Sequence, residues 1–175
     1  MTDLEFYRLH ENVSLPEFAT DFSACFDIRA HFEKDEFVEK YDIENEKFSA
    51  RISRFSRFSE KAFIPLLPFE RVKIPTSLIA NIPSGCSLRF HSRSGNALKK
   101  GIVLANQEAV IDEDYVNEIF IPLINLSNQT FYIYEGDRIC QGELHKDTRC
   151  SISEISEKPS QKTSRCDGFG HTGMG

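Results

Sequence analysis

Between Phe63 and Ile155 the apolar residues fall in short runs separated by Gly, Pro, Asn or Asp. Arg71-Val72-Lys73-Ile74 and Ser87-Leu88-Arg89-Phe90 change polarity at every residue, so an extended backbone would give each one an apolar face. Leu78-Ile79-Ala80-Asn81-Ile82 is mostly apolar and is closed by Pro83-Ser84-Gly85. Ile119 to Ile124 and Thr130 to Tyr134 flank the turn-like residues 125–128, and residues 138–144 follow Glu135-Gly136-Asp137. Short runs at roughly 8–12-residue spacing predict an all-β domain, sandwich or barrel-like. Pro122 lies inside one run and predicts an edge or a bulge there, because it has no N–H to give a ladder.

Residues 33–62 break this pattern. The stretch 33–47 holds seven acidic residues and three lysines, and Phe48, Ile52, Phe55 and Ser59 then recur at helical spacing. Arg51, Arg54 and Arg57 recur every third residue beside them. The pattern predicts a helical or partly ordered insertion between two strands. It would be either a surface element packing Phe48, Ile52 and Phe55 on the domain or a docking surface for a protein partner. Residues 157–163 are polar and linker-like, and predict that a flexible C-terminal arm, 157–175, follows a domain spanning 1–156.

The 175 residues fit one domain with a sizeable core. A net charge of -6 argues against non-specific binding of nucleic acid, which depends on neutralising phosphates. Any phosphate site must therefore be local, built from a few Arg or Lys and backbone N–H groups. The five cysteines, Cys25, Cys86, Cys140, Cys150 and Cys166, are odd in number and irregularly spaced, which argues against a disulfide framework or a zinc site. No apolar run opens the chain or approaches the ~20 residues of a membrane span. The expectation is a soluble protein of the cytoplasm or another reducing compartment, with no nucleic-acid or membrane partner.

Three stretches could carry chemistry. Arg93-Ser94-Gly95 offers a planar charged fork for phosphate, a hydroxyl and close backbone approach, although the same tripeptide also reads as a turn. Ile111-Asp112-Glu113-Asp114-Tyr115 offers carboxylates beside an aromatic ring. They could accept a proton from an attacking water, hold a divalent ion, or form a charged turn. Gly168, Gly170, Gly173 and Gly175 surround Phe169, giving backbone N–H groups for phosphate and a ring able to stack on a nucleobase, or a mobile terminus. Residues 136–141 read as a tight turn into a strand, and the five histidines show no metal-ligand spacing.

Taken in order, these stretches resemble the motifs of the homotrimeric dUTPase family, the dUTP diphosphatases. Ala24-Cys25-Phe26-Asp27-Ile28 looks like the first motif, and Arg93-Ser94-Gly95 with Gly101-Ile102 following looks like the second. Residues 106–115 with Glu118-Ile119 beyond look like the third, 136–141 like the fourth and 165–173 like the fifth. The resemblance covers nearly the whole chain except 33–62. It implies a jelly-roll-like β-clip domain whose three copies build three active sites at their interfaces and cleave dUTP to dUMP and pyrophosphate. It implies Asp112 as the base that activates water and Tyr115 under the deoxyribose. Asn106 and the backbone around Val110 and Ile111 would read the uracil edge, and Arg93, Ser94, Gly95 and Gln141 would contact the phosphates. Mg²⁺ would bridge phosphate oxygens with Asp27 nearby through water, while Arg165, Phe169 and Gly170 would close over the nucleotide from a neighbouring chain.

Some positions depart from the family's usual pattern. Cys25 stands for Gly, Asn96 for Leu and Ala109 for Gly, and the Arg165–Phe169 spacing is one residue shorter. A dCTP deaminase of the same fold is an alternative, but that family places Glu where Asp112 stands and lacks the Asp-Tyr pair. A dUTP-gated module that binds a partner through 33–62 is another, motivated by the basic and aromatic run from Arg51 to Phe58.

Overall fold

The computed structural model describes residues 3–33, 36–53 and 61–164. Its strands are β1 (Glu5–Arg8), β2 (Glu17–Phe18), β3 (Phe26–Arg29), β4 (Phe37–Tyr41), β5 (Lys47–Arg51), β6 (Phe63–Leu66), β7 (Arg71–Pro75), β8 (Leu78–Asn81) and β9 (Cys86–His91). After a short helix, α1 (Ser94–Lys100), come β10 (Ile102–Leu104), β11 (Glu108–Ile111), β12 (Phe120–Asn125), β13 (Phe131–Tyr134) and β14 (Arg138–Lys146). Two five-stranded antiparallel sheets, ordered β10-β12-β7-β4-β5 and β11-β9-β14-β3-β2, bury their inner residues in one continuous core. The pairs β1-β8 and β13-β6 form two smaller sheets.

The predicted period of two is what fills the core. Leu88 and Phe90 of β9 are fully buried while Arg89 and His91 stay half-exposed, and Ile121 and Leu123 alternate with Pro122 and Ile124 on β12. Pro122 sits where β10 has just ended: Leu104 pairs with Leu123, and Ala105 N–H then donates to the Pro122 carbonyl at 2.9 Å. On that side β12 is locally an edge, which is where a residue without an N–H is tolerated. Gly142 of β14 crosses Phe90 and Phe26 so closely that an added Cβ would lie 2.7 Å and 2.8 Å from their rings, so no other residue fits without moving them.

The helix expected within 33–62 is not found among its described residues. Residues 37–51 instead form the hairpin β4-β5, which extends a main sheet by pairing Lys40 with Val72 and Tyr41 with Arg71. Its turn is held by the Asp42 carboxylate, which accepts the Glu46 N–H at 2.8 Å, and by Asn45 in the left-handed region at φ 69. Asn tolerates that conformation better than most residues. The spacing misled because four is an even number: Phe48 and Ile52 share a strand face as readily as a helix face. Phe55 and Ser59 lie outside the described residues.

A buried ion pair anchors the hairpin. Lys40, on β4, is bonded to Glu70, and both are buried. Lys40 also donates to the Pro65 carbonyl at 2.9 Å, and Glu70 accepts the Leu67 N–H at 2.8 Å. Among the described residues no helix is long and apolar enough to cross a membrane, and Cys25, Cys86, Cys140 and Cys150 are free.

Candidate active site

The outer face of the sheet containing β3, β9, β11 and β14 carries the first polar cluster. Register sets it: Asp27 lies opposite Gln141, and Gln141 opposite His91. Asp27 is bridged by two guanidinium groups, with Arg93 Nε 2.9 Å from one carboxylate oxygen and Arg138 Nη1 3.0 Å from the other. Arg93 reaches Asp27 because it caps α1, just past the end of β9. Arg93-Ser94-Gly95 is therefore not a plain turn: Ser94 and Gly95 open α1, whose Ala97 N–H donates to the Arg93 carbonyl at 2.9 Å. Ser94 and Gly95 are exposed beside Arg93. Cys25 precedes Asp27 on the same face. Burial, then the Glu143 and Asp27 carboxylates, push its thiol up, so it stays protonated at neutral pH and is a poor nucleophile.

The second cluster is the turn that leaves β11. Tyr115 N–H donates to the Asp112 carbonyl at 3.1 Å, and the Tyr115 hydroxyl donates to the Glu118 carbonyl at 2.8 Å, which fixes the ring. Asp112 is exposed. Glu113 is not exposed in the same way: its carboxylate accepts the Gly85 N–H at 2.8 Å and meets Arg149 at 3.1 Å. The Gly85 bond first, then the Ser84 hydroxyl, hold the Glu113 carboxyl below the usual range. Asp112 and Glu113 line an open cavity of about 910 Å³ together with Ser87, Arg89, His145 and Asp147. Of the three acidic residues in this turn, Glu113 is thus structural and Asp112 is left to face solvent.

Asn106 lies at the other end of β11, on an exposed turn where Glu108 N–H donates to its carbonyl at 2.8 Å. Val110 and Ile111 pair with Arg89 and Leu88 of β9. Since β11 is the outer strand of its sheet, its other side is not covered by a described strand. Arg165, Phe169 and Gly170 lie outside the described residues.

One chain does not bring the two clusters together. Ile111 pairs with Leu88, which places Asp112 by Ser87, whereas Arg93 lies beyond the His91 end of β9. Six residue steps of extended chain separate Ser87 from Arg93, roughly 20 Å at ~3.3 Å per residue. Asp27, Arg93, Ser94, Gly95 and Gln141 form one group, and Val110, Ile111, Asp112 and Tyr115 another.

Two residues of the first group carry no sequence signal for it: Arg138 lies within the turn-to-strand stretch 136–141, and Asn96 stands out only as a departure from the family's usual Leu. Asn96 is buried, and its amide donates to the Arg138 carbonyl at 3.3 Å. Arg93 and Arg138 meet on a single carboxylate, with Asn96 bonded to the backbone of the second, and only strand register brings these three together.

The chain is similar to known proteins throughout. A family model described as dUTPase matches residues 58–173. The deoxyuridine 5'-triphosphate nucleotidohydrolase of Finegoldia magna is 37% identical over 163 residues, covering 93% of each chain. That of Chlamydia muridarum is 31% identical over 168 residues, covering 96% of this chain and 97% of the relative. The fold is similar to a mutant dUTPase of Staphylococcus bacteriophage 80alpha with dUpNHpp, with a TM-score of 0.73 at 18% identity and 99% of both chains covered. It is also similar to a dUTPase from Streptococcus mutans, with a TM-score of 0.62 at 24% identity, covering 86% of this chain.

Proposed function

The chain belongs to the dUTPase family, and from that premise we propose that it hydrolyses dUTP to dUMP and pyrophosphate, at sites each built from more than one copy of the chain. The separation of the two clusters along β9 carries the second half of this reading. A base and a phosphate-binding arginine some ~20 Å apart cannot serve one nucleotide within one chain. Two copies can place the Asp112 turn of one against the Arg93 cluster of the other, in keeping with a homotrimer.

Each group then has a task. The open side of β11, at Val110 and Ile111, offers backbone N–H and C=O groups to the edge of a uracil ring as it would to another strand, with Asn106 adding a side-chain amide. Tyr115, locked by its hydroxyl bond, packs its ring against the deoxyribose and leaves no room for a 2′-hydroxyl. Arg93, Ser94, Gly95 and Gln141 hold phosphate oxygens. Asp112, exposed and not engaged as Glu113 is, accepts the proton of the water that attacks the α-phosphorus. Attack in line with the departing pyrophosphate needs positioning and charge neutralisation more than covalent help from the protein. Arg165 and Phe169, with Gly170, complete the site over phosphates and base from a neighbouring chain.

The donor set also bears on metal. Among the described residues no group of three or more His, Cys, Asp or Glu is placed to hold an ion, and Asp27 already faces two guanidinium groups. Asp27 is the residue that would hold Mg²⁺ there, through water, and the ion would supply neutralisation of the phosphate charge.

The test is pyrophosphate release by the purified protein with Mg²⁺, compared across dUTP, dCTP, dTTP and UTP. Release from dUTP alone is expected. Ammonia from dCTP would replace the reading with a deaminase, and no turnover of any of the four would overturn it.

A further inference from the structure

The Tyr115 ring stands in the connection between β11 and β12, residues 112–119, rather than on a strand. Its far end is fixed by one bond, from the hydroxyl to the Glu118 carbonyl at 2.8 Å, so the ring is placed only as firmly as that carbonyl. Val116 and Asn117, the residues between, are exposed.

The turn between β7 and β8 holds the Glu118 carbonyl from the other side. The Glu118 carboxylate accepts the Ser77 N–H at 2.7 Å. The next residue, Ile119, is fully buried; its N–H donates to the Leu78 carbonyl at 2.8 Å and its own carbonyl accepts the Thr76 hydroxyl at 2.7 Å. Thr76, Ser77 and the first residue of β8 thus grip residues 118 and 119 together. Ser77 is buried and sits in the left-handed region at φ 52, a conformation that a residue other than Gly keeps only where its surroundings hold it. Its N–H goes to Glu118, and its carbonyl accepts the Leu9 N–H at 3.0 Å, just past the end of β1.

A buried N–H needs an acceptor, and Glu118 would meet that need whatever lay beyond it. Two observations tie the bond to the ring. The side chain and the carbonyl of this one residue face two ways, the first to the strained turn and the second to the Tyr115 hydroxyl. Among the described residues Glu118 forms no ion pair, so its carboxylate serves the Ser77 N–H alone.

We propose that Glu118 is a positioning residue for selection of the sugar: bonded to the strained β7–β8 turn, it holds the carbonyl that fixes Tyr115 and so sets how closely the ring meets the 2′ carbon of the nucleotide. The proposal rests on the dUTP-hydrolysis reading and deepens it. Tyr115 touches the sugar, and Glu118 acts through Tyr115. A 2′-hydroxyl adds a single heavy atom, so a ring free to retreat admits ribose where a braced ring does not. Loss of the brace therefore costs discrimination before it costs hydrolysis of dUTP.

The test measures kcat and KM for dUTP and for UTP, the ratio of the two kcat/KM values being the sugar selectivity. It compares the unmodified protein with Glu118→Ala, Glu118→Gln, Tyr115→Phe and the pair Glu118→Ala with Tyr115→Phe, the oligomeric state and melting temperature of each being recorded. Glu118→Ala is expected to lower selectivity by about tenfold or more, the scale on which a misplaced contact acts, chiefly through a higher kcat/KM for UTP. Glu118→Gln keeps an oxygen that can accept the Ser77 N–H and should stay within about threefold of the parent. Tyr115→Phe removes the other end of the link and should lower selectivity to a similar extent. In the pair, the second change should add less than about twofold, because both break one chain of bonds. A lower melting temperature with unchanged selectivity in Glu118→Ala would show that Glu118 only satisfies the Ser77 N–H, and would overturn the proposal. Losses that add in the pair would overturn it too, as would unchanged selectivity in Tyr115→Phe, which decides the matter if Glu118→Ala does not fold. Absence of dUTP turnover in the unmodified protein would instead overturn the functional reading beneath it.

Discussion

At the scale of single residues, the candidate site divides into groups that chemistry announces and groups that only geometry can find. Asp112 and Tyr115 are neighbours in sequence and fold into one turn, so their partnership is legible from the chain. Glu113 shows what the sequence conceals: three consecutive acidic residues look alike until one is seen bonded to Gly85 N–H. Because that bond, followed by the Ser84 hydroxyl and Arg149, lowers the Glu113 pKa in the folded state, its stabilisation is complete above the unfolded value of about 4.3. It is lost as pH falls through the lower folded value. Glu113→Gln should therefore melt below the parent at about pH 7, and the gap between them should shrink below about pH 4. Thermal melts across that range check this, and a gap that does not change with pH would refute it. Arg138 was hidden for a different reason. Strict alternation assigns it to the inner face with Cys140 and Gly142, and nothing in the letters marks Ile139 as an extra residue with no partner on β3.

At the scale of elements, the strands with clear alternation, β7 and β9, appear where their patterns place them, because burying one face of a two-residue repeat leaves little choice of register. The hairpin β4-β5 was missed because its apolar spacing is compatible with both periods and its acidic content suggests a solvated segment. Its burial is nonetheless real: Val38 and Ile52 belong to the core and Lys40 closes an ion pair beneath it. Removing one partner of such a pair leaves the other charge buried alone, at a cost of about 3–5 kcal/mol. Lys40→Ala should lose stability on that order in urea unfolding, and Lys40→Met combined with Glu70→Leu should recover most of it. A loss below about 1 kcal/mol in the single variant would mean that the pair is solvated. The helix α1 was missed because seven residues opening with Ser-Gly carry too short a pattern to register as a helix, and Leu98, its one large apolar side chain, is exposed.

At the scale of the whole molecule, register has a consequence that no single motif contains. With Asp112 and Arg93 at opposite ends of β9, the proposed site calls for a second copy of the chain to complete it. Asp112→Asn alone should lower turnover by about 10²–10⁴-fold, the usual contribution of a general base. Arg93→Ala should also be impaired. When the two variants are unfolded together and reassembled, some sites will draw an intact Asp112 from one chain and an intact Arg93 from another, and activity should return. Mixed oligomers verified by mass spectrometry that show no recovery would place both groups in one chain's site. The sequence named both residues but not their distance, because that distance is a product of pairing across strands. The hairpin that lengthens the sheet also ends it. No described strand covers the far side of β5, and along that strand Lys47, Ser49 and Arg51 alternate with Phe48 and Ala50. Two molecules approaching there, edge against edge, would have to displace these long charged side chains, Lys47 with its Glu39 partner among them, before their backbones could pair. Among the described residues this border of the sheet is thus lined by polar and charged side chains that disfavour pairing with a second edge.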